Sequence, residues 1–173
     1  MAAPDSHRVF ASHAWESRAT EAMVDDFIAK LRLKLMNLPA WPQRVYRVEL
    51  WFDRNDLNGR SGRFDDQTVP AAKASKALLM LMSDKYHQSD ACRVEADCFR
   101  DPSGAFQHKR TVKIQVSGRR QDGDPEMVQG PVFPEMWNPK YPTLLALWSK
   151  GDLSDQDVFL MRIRDELLAV LDA

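Results

Sequence analysis

Ala77-Leu78-Leu79-Met80-Leu81-Met82-Ser83 is an unbroken apolar run closed by a serine. Six apolar residues in succession leave no polar face, and so short a run between Lys76 and Asp84 fits a strand buried on both sides. Strands of that kind lie inside parallel sheets covered by helices, so the run predicts the centre of an α/β fold. Working outward, Arg8 to Ser12 reads as a first strand and Arg44 to Phe52, rich in Val, Tyr and Trp, as a second. Thr111 to Ser117 alternates Val112, Ile114 and Val116 with Lys113 and Gln115, which predicts a half-exposed strand nearer the sheet edge. Val132 and Phe133 suggest a short fifth strand.

Helical periods separate these runs. Between about Thr20 and Leu38, Met23, Phe27, Leu31 and Leu35 form one stripe with Val24 and Ile28 beside it. Pro39 and Pro42 end that helix, and Asp25, Asp26, Lys30 and Lys34 give it a polar face. The last helix is expected to open at Ser154, with Asp157 as a capping-box acid, and to turn Leu160, Ile163, Leu167 and Val170 inward. Ser89 to Arg100 also reads as helix, and it holds an anomaly. Asp97 has Arg93, Arg100 and Asp101 for company, but Glu95 has only Ala91, Cys92, Cys98 and Phe99 at helical spacing. Burying a carboxylate is costly, so a fold keeps one there only if it is locally satisfied or chemically useful.

The 173 residues suit one domain. A net charge of -1, from 24 basic and 25 acidic side chains, gives no general attraction to nucleic acid or an anionic membrane. No apolar run approaches the ~20 residues of a membrane span. Residues 1–7 read as a flexible N-terminus without the features of a signal peptide, so a cytoplasmic protein is expected. Cys92 and Cys98 lie six apart on one helix, where a disulfide would require unwinding, and read as reduced thiols. His7, His13, His87 and His108 are dispersed and no metal-ligand spacing occurs, so no metal is expected. Phosphate-loop and serine-hydrolase motifs are likewise missing.

Two connections are long. Residues 53–66 carry Arg54, Arg60 and Arg63 among Asp53, Asp56, Asp65 and Asp66, with Gly59 and Gly62 for tight turns; a solvated loop and a lid are equally compatible. Residues 118–151 hold five of the ten prolines together with Trp137, Tyr141 and Trp148, and read as irregular structure packed by aromatics.

Three segments resemble the Toll/interleukin-1 receptor (TIR) domains, particularly the bacterial ones. Val9-Phe10-Ala11-Ser12-His13-Ala14-Trp15-Glu16 looks like the family's first box, and Leu50-Trp51-Phe52-Asp53-Arg54-Asn55-Asp56-Leu57 like the second strand entering its long BB loop. The stretch from Leu81 to Glu95 fits S-x-x-Y-x-x-S-x-x-C-x-x-E through Ser83, Tyr86, Ser89, Cys92 and Glu95. The resemblance covers Arg8 to about Arg100. It implies a flavodoxin-like three-layer fold, a mainly parallel five-stranded sheet of order 2-1-3-4-5 with helices on both faces. Ligands of such sheets bind outside the carboxyl ends of the strands, where chain direction reverses.

By the same resemblance the substrate is NAD+, cleaved at the nicotinamide–ribose bond, with Glu95 catalytic. Ser12, His13, Trp15, Asp53, Arg54, Ser83 and Tyr86 are the substrate-binding candidates, and no cofactor is implied. Homotypic TIR association in a bacterial defence pathway, with a fused or separate sensor domain, would activate it. The alternative is a non-catalytic TIR module that signals by assembly. A deoxyribosyltransferase-like enzyme is a more distant reading, opposed by the Trp51 to Leu57 segment. One position departs from the family: Ala91 stands where an aromatic usually precedes the glutamate by four residues, and Tyr86 or Trp15 would have to supply the stacking surface.

Overall fold

A computed structural model of the chain describes residues 5–36, 46–52 and 68–173. Its strands are β1 (Asp5–His13), β2 (Tyr46–Trp51), β3 (Ala77–Met82) and β4 (Thr111–Gln115). They form a parallel sheet in the order β2-β1-β3-β4. The helices are α1 (Arg18–Met36), α2 (Val69–Lys73), α3 (Asp84–Gln88), α4 (Asp90–Asp97), α5 (Leu144–Lys150) and α6 (Leu153–Asp172).

β3 is buried along its whole length and lies between β1 and β4, as an all-apolar run requires. Alternate side chains divide between its two faces. Leu79 and Leu81 join Phe27 and Ile28 of α1 and Ile163 and Leu167 of α6 in one apolar cluster. Leu78, Met80 and Met82 join Cys92, Ala96 and Phe99 in the other. The α1 stripe is buried at every position named for it, and α6 turns Leu160, Ile163 and Leu167 inward with Val170 partly covered.

β1 starts earlier than the sequence suggested. Asp5, Ser6 and His7, read as part of a flexible N-terminus, pair with Tyr46, Arg47 and Val48 of β2, and the His7 ring lies 4.2 Å from that of Tyr46. α6 also starts earlier: Asp152, not Ser154, is the N-cap, accepting the Asp155 N–H at 2.7 Å. Asp157 instead pairs with Lys34 of α1. Pro39 and Pro42 lie outside the described residues.

The largest correction concerns β4. It is the edge strand, but Lys113 and Gln115 are buried at 3% and 2% exposure instead of facing solvent. Their polar ends are satisfied by nearby and distant chain: Lys113 Nζ donates to the Gln129 carbonyl and lies 2.7 Å from His108 Nδ1, while Gln115 Nε2 donates to the Ser117 carbonyl. In place of a fifth strand, Phe133 makes a single parallel bridge to Ile114. Its N–H donates to Lys113 O, and its carbonyl accepts from Gln115 N. Pro131, two residues earlier and next in the bonding alternation, has no N–H, so the pairing cannot lengthen in that direction.

Within 118–151 the aromatics pack as expected: Trp137 stacks on Tyr141, and Trp148 meets Phe27 edge-on. That segment also contains α5, capped by the Thr143 hydroxyl and ending at Gly151, which the density of prolines concealed.

Candidate active site

Two serines shape the region beyond the carboxyl end of β3. Ser83 caps α3 by accepting the Tyr86 N–H at 3.1 Å, and Ser89 caps α4 by accepting the Cys92 N–H at 3.2 Å. Each cap satisfies an orphan helix donor and fixes where the new helix begins. The chain therefore turns twice within seven residues and lays the Cys92, Glu95 and Ala96 face of α4 against the sheet.

Glu95 is 9% exposed, as its helical neighbours demand. Its Oε2 accepts a hydrogen bond from the Ser12 hydroxyl, itself 1% exposed near the carboxyl end of β1. This joins two residues 83 positions apart across the β1/β3 boundary, where the sheet order reverses the chain's direction. Tyr86 and Cys92 complete the cluster. Burial and the nearby Cys92 and Glu95 push the Tyr86 phenol well above its ordinary range. Burial first, then the Glu95 charge, push the Cys92 thiol up to about 12. Ser12 lies close enough to temper both effects, yet the Tyr86 hydroxyl has no hydrogen-bond partner of normal geometry.

The remaining candidates are distributed differently. His13, one residue beyond Ser12, faces the opposite side of β1 and places Nε2 2.8 Å from Glu21 Oε2 of α1. It therefore does not stand beside Glu95. Ser83 is fully buried as a helix cap, and Trp15 is 51% exposed in the turn after β1. Asp53 and Arg54, with Arg60 and Arg63, lie outside the described residues. Ala91 is exposed, so an aromatic at this position would project from the outer side of α4. Asp97 lies on the solvated face and pairs with Arg100 at 2.7 Å.

Sequence reasoning passed over two features. Glu21 is 3% exposed, and positions 21, 24, 28, 31 and 35 repeat at helical spacing, so the argument applied to Glu95 would also have found it. Glu16 accepts the Ser117 hydroxyl at 2.6 Å, tying the turn after β1 to the one after β4, a pairing visible only once the sheet is assembled. Gly118 follows at φ +74, where a Cβ would lie 2.7 Å from Asp84 Oδ1. These links bring the carboxyl ends of β1, β3 and β4 into one rim around Ser12 and Glu95. Among the described residues there is no cluster of three or more potential metal ligands, and no helix long and apolar enough to cross a membrane.

No family model, curated protein or solved structure matches this chain.

Proposed function

We propose that this chain is a TIR-like NAD+ nucleosidase whose catalytic group is Glu95. The observation that carries the reading is the buried Glu95 carboxylate bonded to Ser12 near the carboxyl end of β1. That location is where sheets of this class bind ligands. In the finer form of the proposal the fold is flavodoxin-like and three-layered, with the Phe133 bridge beside β4 occupying the place of a fifth strand.

The chemistry suits catalysis by a carboxylate with no general acid beside it. Nicotinamide is bound to the ribose as a pyridinium and leaves with the bonding pair as a neutral molecule, so it needs no protonation. The ribosyl fragment develops oxocarbenium character, as in glycoside cleavage. Glu95 would hold the ribose hydroxyls and stabilise the positive charge growing at the anomeric carbon. Attack by water there, with loss of one proton, gives ADP-ribose; attack by a nitrogen of the substrate's own adenine gives a cyclic isomer. Trp15 offers an exposed aromatic face, and Asp53 and Arg54, the other candidates of the resemblance after β2 in sequence, lie outside the described residues. Self-association in a cytoplasmic bacterial defence pathway would bring the enzyme into its active form.

NAD+ consumption by the assembled wild-type chain and by Glu95→Gln provides the test. The amide keeps the shape but removes the charge, and turnover should fall by at least about a hundredfold. Equal consumption by both proteins refutes the assignment of Glu95. Consumption by neither, even in the assembled state, replaces the enzyme with a non-catalytic interaction module.

A further inference from the structure

At the edge of the sheet two basic side chains touch. Lys113 Nζ of β4 lies 2.7 Å from Nδ1 of His108, which sits in the short turn entering that strand. Burial, then Arg120, lower the Lys113 ammonium to about 8, so it is charged at neutrality. An ammonium has three donors and no acceptor, so the contact is a hydrogen bond only while Nδ1 keeps its lone pair. His108 is therefore neutral there, with its ring hydrogen on Nε2. Burial first, then the Lys113 charge, hold the imidazole below its ordinary 6.5, against an opposing pull from Glu126. Lys113 Nζ also donates to the Gln129 carbonyl, so one cation joins the turn before β4 to the 118–133 segment. The Phe106 ring flanks both groups, 5.6 Å from Nζ and 5.1 Å from the imidazole.

We infer that His108 is an acid-released latch: a proton on Nδ1 ends its bond to Lys113 and loosens the attachment of the 118–133 segment to β4. Two cations cannot share a 2.7 Å contact, so the proton that enters Nδ1 displaces the ammonium. Because the folded chain holds this ring below 6.5, the latch is complete above that value and lost as pH falls through the folded midpoint. Glu126 of the same segment attracts both rings of charge, His108 and Lys113, while accepting from Arg100 at 2.9 Å and from the Phe106 N–H at 3.1 Å. Lys109 is exposed, and Arg110 is turned away, donating to the Ser75 and Lys76 carbonyls. His87 of α3 also meets the segment, accepting the Asp124 N–H at 3.4 Å, and Asp84 acts on it with Asp124. Met127 and Val132 pack in the apolar cluster that contains Met82, Tyr86 and Cys92, so release of the segment reaches that layer.

Histidine ring 15N shifts of the full chain, followed by NMR from pH 7 downward, provide a test that involves no NAD+. At pH 7 His108 should be the Nε2–H tautomer, and its midpoint should lie below 6.5. The Val128 and Phe133 amides, bonded to the Asp124 and Lys113 carbonyls, should shift with the His108 midpoint. Below it, their hydrogen exchange, corrected for intrinsic rates, should be at least about tenfold faster. His108→Asn sets an amide oxygen in the place of Nδ1, keeping an acceptor that takes up no proton, and should abolish that step while leaving any belonging to His87. Lys113→Met should raise the His108 midpoint toward 6.5. In the wild-type chain alone, an Nδ1–H tautomer at pH 7, a midpoint at or above 6.5, or amides that ignore the His108 midpoint overturns the inference. A step that persists in His108→Asn overturns it equally.

Discussion

Replacing Lys113 with Met should make the protein more stable at neutral pH and remove a component of its alkaline stabilisation. Lys113 is 3% exposed in β4, and burial, with a smaller contribution from Arg120, lowers its ammonium to about 8 from the ordinary 10.5. At about 1.4 kcal/mol per pH unit, that drop corresponds to roughly 3 kcal/mol against the charged form in the folded state. The unfolded chain holds the proton up to pH 10.5 and the folded one releases it near 8, so between those values the unfolded state binds more protons. Stability contributed by this group therefore rises with pH across the window and is absent below it. Met has similar length and no charge. The groups it leaves behind, an exposed Gln129 and a half-buried His108, can turn to water. Urea unfolding at pH 7 should show Lys113→Met ahead by about 1–3 kcal/mol, with that lead shrinking by about 3 kcal/mol as pH rises through 10.5. Cys92 and Tyr86 titrate in the opposite sense in both proteins, because their folded-state values are raised, so they cancel in the difference. A constant difference between pH 7 and 11 would refute the reasoning.

Tyr86→Phe removes a buried donor that has no partner, so unfolding stability should hold or rise by about 1 kcal/mol, and a loss of 2 or more would show that the hydroxyl is bonded. Gly123→Ala should cost about 1–3 kcal/mol in a thermal melt, because the new Cβ would lie 2.4 Å from His87 Nε2 and 2.6 Å from Val128 Cγ1. Asp152→Ala should cost about 1 kcal/mol while Ser154→Ala costs little, since only Asp152 caps α6. With a thiol reagent at pH 8, partly exposed Cys98 should react well before buried Cys92, which becomes reactive on unfolding; simultaneous reaction would contradict the burial of Cys92.

Much of the fold could be read from local pattern. The Ala77–Met82 run and the Met23 to Leu35 stripe declare themselves because burial on both faces, or along one stripe, leaves a direct imprint on residue order. Where a distant segment decides burial, pattern misleads: Lys113 and Gln115 alternate with apolar residues as in a half-solvated strand, yet both are buried where Gln129 and Phe133 bond to this strand. The inward face of Glu95 followed from its neighbours within one helix. Its bond to Ser12 did not, because nothing local encodes which strand lies beneath α4. Ser83 and Ser89 illustrate the middle case, residues plausible as caps from their type and observed as such.

β1 ends in two consecutive polar residues, each holding a buried carboxylate from a different helix: Ser12 takes Glu95, and His13 takes Glu21. Side-chain parity in a strand keeps these pairs insulated from each other by the thickness of the sheet. A slip of β1 by a single residue would mismatch both sites: in one direction His13 would face Glu95 and Ala14 would face Glu21, and in the other Ala11 would face Glu95 and Ser12 would face Glu21. The strand's alignment is thus proofread chemically as well as by its apolar residues, and an insertion or deletion upstream in β1 would mismatch both acids at once.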